Sequence, residues 1–136
     1  MRTHRNFRSD IFDTILAEKN PGRVNEYSLA YLHLSEPFTD VTKIPGAEPH
    51  IAKRYRPMYK GTLIINSSFD QEKGNQIIEK GLADLVAYGK LFISNPDLVR
   101  RFAHNASVAE WDENTFYTPG PKGYTDYPVW TKDTSV

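Results

Sequence analysis

No cysteine occurs among the 136 residues. That absence removes disulfide staples, thiol nucleophiles and cysteine-ligated zinc together, and it suits a reducing cytoplasm. A net charge is missing as well. Seventeen Lys plus Arg balance seventeen Asp plus Glu, so no overall field draws the chain to nucleic acid or to an anionic membrane. No window approaches the roughly 18 consecutive apolar residues that a membrane span needs. Met1-Arg2-Thr3-His4-Arg5-Asn6 leads into charged sequence rather than the apolar core of a secretion signal. The expectation is a cytoplasmic protein with neither nucleic acid nor membrane as partner, in which the Asn66 and Asn105 glycosylation patterns are chance matches. Metal ligation is not expected either. His4, His50 and His104 share no ligand spacing, and His33 with Glu36 makes too few ligands for a site.

What is present is an alternation of apolar runs and helical patterns. Phe7, Ile11, Ile15 and Leu16 recur at helical spacing, stopped by Asn20-Pro21-Gly22. "SLAYLHLSEP" reads as a strand buried on both faces, followed by a long loop over residues 38–50 and a short helix in "IAKRYRPMY" broken by Pro57. "GTLIIN" is a second strand, and Asp70 caps the helix "QEKGNQIIEKG", which places Ile77 and Ile78 inward and ends at Gly81. A third strand ends near Tyr88, and a helix runs from about Pro96 to His104 with Leu98 and Phe102 packed inward and Arg100-Arg101 on a solvated face. After Asn105 the chain turns irregular and aromatic. Apolar strands joined by helical crossovers imply a parallel sheet, because short hairpins cannot link parallel neighbours.

In parallel α/β folds the ligands sit where strands run into helices. Gly89-Lys90, directly after the third strand, has two readings. One is a strand ending at a turn. The other is a phosphate site, because glycine admits an anion close to the backbone and lysine supplies the opposing charge. Asn66-Ser67-Ser68-Phe69, after the second strand, offers further small residues with backbone N–H groups.

"LAYLHLSEP", "ADLVAYGKLFISNPDLVRRF" and "DENTFYTPGPKGYTDYP" together resemble the carboxyl-terminal part of the Old Yellow Enzyme family of flavin-dependent ene-reductases. The resemblance covers roughly residues 27–130, with the three motifs in the family's order. It implies an α/β fold: part of a (β/α)8 TIM barrel, about its last three βα units, with an aromatic-rich irregular tail. The expected organisation is one partial domain over 1–136, made of a divergent helix at 1–26, units similar to barrel strands six to eight at 27–104, and the tail at 105–136.

The resemblance also implies FMN as cofactor, NAD(P)H as hydride donor and an enone-type small molecule as substrate. Ser67 and Ser68 stand where the family's backbone amides hold the FMN phosphate. Gly89 and Lys90 stand where a Gly-Arg pair completes that cradle. Phe116-Tyr117 matches the aromatic pair lining the flavin and substrate pocket, with Phe116 toward the flavin and Tyr117 toward the substrate. The sequence departs from the family pattern in having serine where glycine is usual and lysine where arginine is usual, which keeps the charge but gives up a bidentate fork. The family's substrate-carbonyl pair, proton-donating tyrosine and flavin-ring contacts come from strands one to five. No catalytic residue is therefore assigned within this chain, and the missing half of the barrel or a further copy of the chain is the expected partner. The rival reading is an inactive remnant, or a structural piece that completes a barrel with another chain.

Overall fold

The computed structural model describes residues 21–131, so the helix expected over Phe7–Leu16 lies outside the described residues. The chain divides into two compact units, Met1–Ala87 and Tyr88–Val136.

Among its described residues the first unit holds three strands, β1 (Leu32–Ser35), β2 (Leu63–Asn66) and β3 (Leu85–Ala87), paired in parallel in the order β1-β2-β3. The register sets Ser35 against Asn66 and Asn66 against Ala87, so the three strands end level with one another. Helix α1 (Ile51–Tyr55) links β1 to β2, and α2 (Gln71–Glu79) links β2 to β3.

The central strand carries the core. Leu63 and Ile65 are fully buried, packed with Val24, Ala52, Tyr59 and Ala83. Strand β1 departs from the expectation of burial on both faces: Leu32 and Leu34 are half-buried, while His33 and Ser35 are exposed. Apolar Leu32 and Leu34 alternate with polar His33 and Ser35, the pattern of a strand covered on one face, and among the described strands only β2 has a neighbour on each side.

Helix α2 begins as its sequence dictates, with the Asp70 carboxylate accepting the Lys73 N–H at 2.8 Å. It ends at Gly81, whose φ of 64° sits in the left-handed region that glycine tolerates. There Gly81 N–H reaches Ile78 O and Leu82 N–H reaches Ile77 O, closing the last turn. Ile77 packs against the core as expected, but Ile78 is 39% exposed and does not. At nine residues the helix turns a narrow face to the sheet, and Ile78 stands off it.

The second unit opens with α3 (Lys90–Ser94) and continues through Asn95-Pro96-Asp97 into α4 (Leu98–Ala103). The single helix expected from Pro96 to His104 is therefore shorter, and α3 precedes it. Asn95 explains the break. Its buried side chain donates to Leu91 O at 3.0 Å and Ala109 O at 3.0 Å and accepts the Ala109 N–H at 2.7 Å.

Leu98 is buried, and Phe102 meets Tyr88 edge to face at 5.3 Å between centroids. Arg101 overturns the solvated-face reading. It is 6% exposed and donates to Asp97 Oδ1 at 2.8 Å, Ser107 O at 2.6 Å and Pro128 O at 3.0 Å. Arg100 does stay at the surface, its guanidinium 5.3 Å from the Trp130 ring centroid. Among the described residues the tail after Asn105 is irregular apart from a 3-10 turn at Glu113–Thr115.

Candidate functional site

At the end of β2, Ser67 is half-buried and Ser68 exposed, and neither takes a positive φ. Phe69 N–H folds back to Ser67 O at 2.9 Å, which makes the turn into α2. At the end of β3, Gly89 stands immediately before α3 with φ −91°, a value open to any residue. A Cβ built there would meet nothing within 4 Å. Neither turn geometry nor packing thus requires a glycine at this position, and the space above its backbone stays clear.

Lys90 opens α3, and its ammonium is engaged. Nζ lies 2.5 Å from Glu113 Oε1, 5.3 Å from the Trp111 ring centroid and 6.0 Å from that of Phe116. The same Glu113 oxygen accepts the Trp111 indole N–H at 3.1 Å. The Lys90 hydrogen bond, with Trp111 second, holds the Glu113 carboxyl below its ordinary range, so it is charged at neutral pH. The second unit therefore brings two of the sequence-predicted residues together, Lys90 and Phe116. Sequence reading did not anticipate Glu113 or Trp111 beside them.

Tyr117 is held differently. It is 97% exposed with φ 62°, an uncommon conformation for a bulky residue, and its N–H donates to Tyr124 Oη at 2.6 Å. Behind it Thr115 is buried, and a Cβ on Gly123 would fall 2.0 Å from Thr115 Oγ1. Gly123 N–H donates to Asp126 Oδ1 at 2.7 Å. The "GYTDYP" stretch is thus a brace, and it turns the Tyr117 ring into solvent. Backbone strain of this kind recurs where a side chain is presented for a task.

Three polar side chains of the first unit, Glu36, Arg54 and Arg56, are committed to structure. Glu36 accepts the Ile51 and Ala52 N–H groups at 2.8 and 2.9 Å, so its carboxylate caps α1 and is not free to work with His33. It also edges a cavity of about 430 Å³ with His50, Lys53, Ile77 and Lys80. In the "KRYR" run, Arg54 pairs with Glu48 at 3.2 Å and Arg56 with Asp84 at 2.7 Å.

Residues 5–108 match the profile of the NADH:flavin oxidoreductase / NADH oxidase family. The chain belongs to this family. It is 45% identical over 101 residues to putative 12-oxophytodienoate reductase 3 of Oryza sativa subsp. japonica, covering 74% of this chain and 26% of that protein. Against 12-oxophytodienoate reductase 2 of Arabidopsis thaliana the identity is 42% over 106 residues, covering 77% of this chain and 28% of the relative.

Among solved structures, a morphinone reductase variant in complex with tetrahydroNAD superposes with a TM-score of 0.71 at 36% identity, covering 85% of this chain and 30% of that one. The old yellow enzyme from Trypanosoma cruzi gives 0.70 at 35% identity, covering 81% and 28%. The chain thus spans between a quarter and a third of the length of these relatives. The Old Yellow Enzyme resemblance read from the three motifs holds, and FMN with NAD(P)H is the cofactor pair that membership implies. The parallel α/β sheet is consistent with part of such a barrel. Among the described residues no helix is long and apolar enough to cross a membrane.

Proposed function

We propose that this chain is the carboxyl-terminal part of an FMN-dependent NAD(P)H ene-reductase, contributing the phosphate end of the flavin site and one wall of the substrate pocket. Its strands correspond on this reading to the last three of the barrel. The observation that carries the proposal is the meeting of Lys90 and Phe116 within the second unit, where the ammonium stands 6.0 Å from the ring centroid.

Within each unit the residues present suit a phosphate group. Neither Ser67 nor Ser68 takes a positive φ, and among the described residues no protein acceptor takes their N–H groups. Gly89 leaves clear space above its backbone. Lys90 supplies a charge-assisted donor. When bound, FMN supplies hydride transfer from NAD(P)H to the activated C=C bond of an enone. The chain's own share on this reading is to hold and orient: the family resemblance assigns Ser67, Ser68, Gly89 and Lys90 to the phosphate, Phe116 to the flavin border and Tyr117 to the substrate side. None of these residues is assigned a proton transfer. The family resemblance implies that the groups orienting the carbonyl and donating the proton come from strands one to five of the barrel.

The test compares FMN with riboflavin, which lacks the phosphate. Flavin fluorescence quenching by the purified chain should be measurable for FMN and much weaker for riboflavin. Equal quenching by both, or none by either, would sink the phosphate assignment and favour the rival reading of a structural remnant.

A further inference from the structure

Lys90 already has an anion. Glu113 sits 2.5 Å from its ammonium, on the oxygen that also accepts the Trp111 indole N–H. Both partners are largely open to water, with side chains 54% and 63% exposed. An exposed pair of this kind opens at small cost. The backbone that carries Glu113 is firm. Asp112 caps the 3-10 turn by accepting the Asn114 N–H at 3.0 Å, the Asp112 N–H donates to Tyr127 Oη at 2.9 Å, and Thr115 is buried. The Glu113 side chain can therefore swing away while its backbone stays in place.

We propose that Glu113 is a built-in competitor for Lys90, a resident counter-ion that an incoming phosphate monoester must displace and that thereby sets the affinity of the site. The inference rests on the assignment of Lys90 to the phosphate. Two negative groups cannot share one exposed ammonium without repelling each other, so the phosphate gains only the difference between its own attraction to Lys90 and that of Glu113. When Glu113 is displaced, Trp111 loses the acceptor of its indole N–H, so its environment changes with each exchange. Trp111 is in consequence a local reporter.

The experiment uses the full chain carrying Trp130→Phe, which leaves Trp111 as the sole tryptophan. Trp111 emission is followed during titration with inorganic phosphate, with Glu113 intact, as Glu113→Gln, and as the shorter Glu113→Asp. Glu113→Gln should bind phosphate about two- to fivefold more tightly than the chain with Glu113 intact, the scale of an exposed ion pair. Glu113→Asp should fall between them. Adding Lys90→Ala should abolish the difference. Equal phosphate affinity in all the chains that keep Lys90, or no response in any of them, overturns the inference.

Parallel titrations with FMN and riboflavin separate this inference from the assignment beneath it. If Glu113→Gln tightens free phosphate but FMN and riboflavin bind alike, the flavin assignment fails while Glu113 still governs Lys90. If Lys90→Ala weakens FMN and Glu113→Gln changes neither FMN nor phosphate, the flavin assignment stands and the competitor role falls.

Discussion

Arg56 and Asp84 meet at 2.7 Å, and the Asp84 oxygen that receives the guanidinium also accepts the Leu63 N–H at 2.7 Å. One carboxylate oxygen thus joins the end of α1, the start of β2 and the approach to β3. Arg56 completes the junction by donating to the carbonyls of Tyr59 and Gly61.

Asp84→Asn should therefore destabilise the first unit by about 1 kcal/mol, the net scale of a hydrogen bond, with the ion pair adding little because the Asp84 side chain is half exposed. Urea unfolding followed by circular dichroism measures it. An unchanged midpoint would mean that the junction is not held through Asp84.

Lys90→Ala should weaken FMN binding by about 1 to 3 kcal/mol, as expected for loss of a charge-assisted hydrogen bond, and should leave riboflavin binding unaltered. Fluorescence quenching with the two flavins gives both values. A variant that binds FMN as tightly as the unaltered chain would remove Lys90 from the site.

The isolated 136-residue chain, supplied with FMN and NADPH, should reduce an activated enone no faster than free FMN does. Hydride transfer needs flavin ring and substrate held at near-attack distance, and the proposal assigns no carbonyl-orienting or proton-donating group to this chain. Steady-state turnover that Tyr117→Ala abolishes, in a preparation free of full-length enzyme, would contradict this division of labour.

Asp97 accepts from Arg101 and from the Trp130 N–H, and the Arg101 hydrogen bond holds its carboxyl below the ordinary value of 3.8. A depressed folded-state value contributes stability that is present above the unfolded value and is lost as pH falls through the folded one. In a chain carrying Trp111→Phe and His104→Gln, which removes the imidazole 5.3 Å from the Trp130 ring, Trp130 emission should stay constant from neutral pH down to about 4 and change only at lower pH. Asp97→Asn should shift the emission at neutral pH and flatten the acid transition. A transition that persists unaltered in that variant would assign it to another group.

Gly123→Ala should cost about 1 to 3 kcal/mol, because φ is 76° and the new Cβ would fall 2.0 Å from the buried Thr115 hydroxyl. Thermal unfolding tests this. Wild-type stability would show that the brace behind Tyr117 is loose.

The order of strands and helices in the first unit was legible, because each element carries its own local pattern. β2 alternates between core and partner face, Asp70 caps α2 from the position its side chain demands, and Gly81 ends that helix where a left-handed residue is needed. The reading failed where burial depends on neighbours rather than on composition. Ile78 looks as apolar as a true core residue, yet it is exposed because little packs against it, and β1, expected to be buried on both faces, turns polar His33 and Ser35 outward.

The sequence by itself determined the parallel α/β plan, the family and the residue types placed after each strand, since these follow from short-range periodicity, capping and contiguous motifs. Tertiary structure alone decided the partners of the charges. Arg101 looks like one half of a surface pair of arginines until Pro128, 27 residues away, brings its carbonyl to the guanidinium. Glu113 becomes the counter-ion of Lys90 only because the fold returns the chain to it after 23 residues. No spacing rule encodes such a meeting. It depends on where buried Asn95 and Thr115 fix the intervening backbone, and that placement emerges only when the whole unit packs.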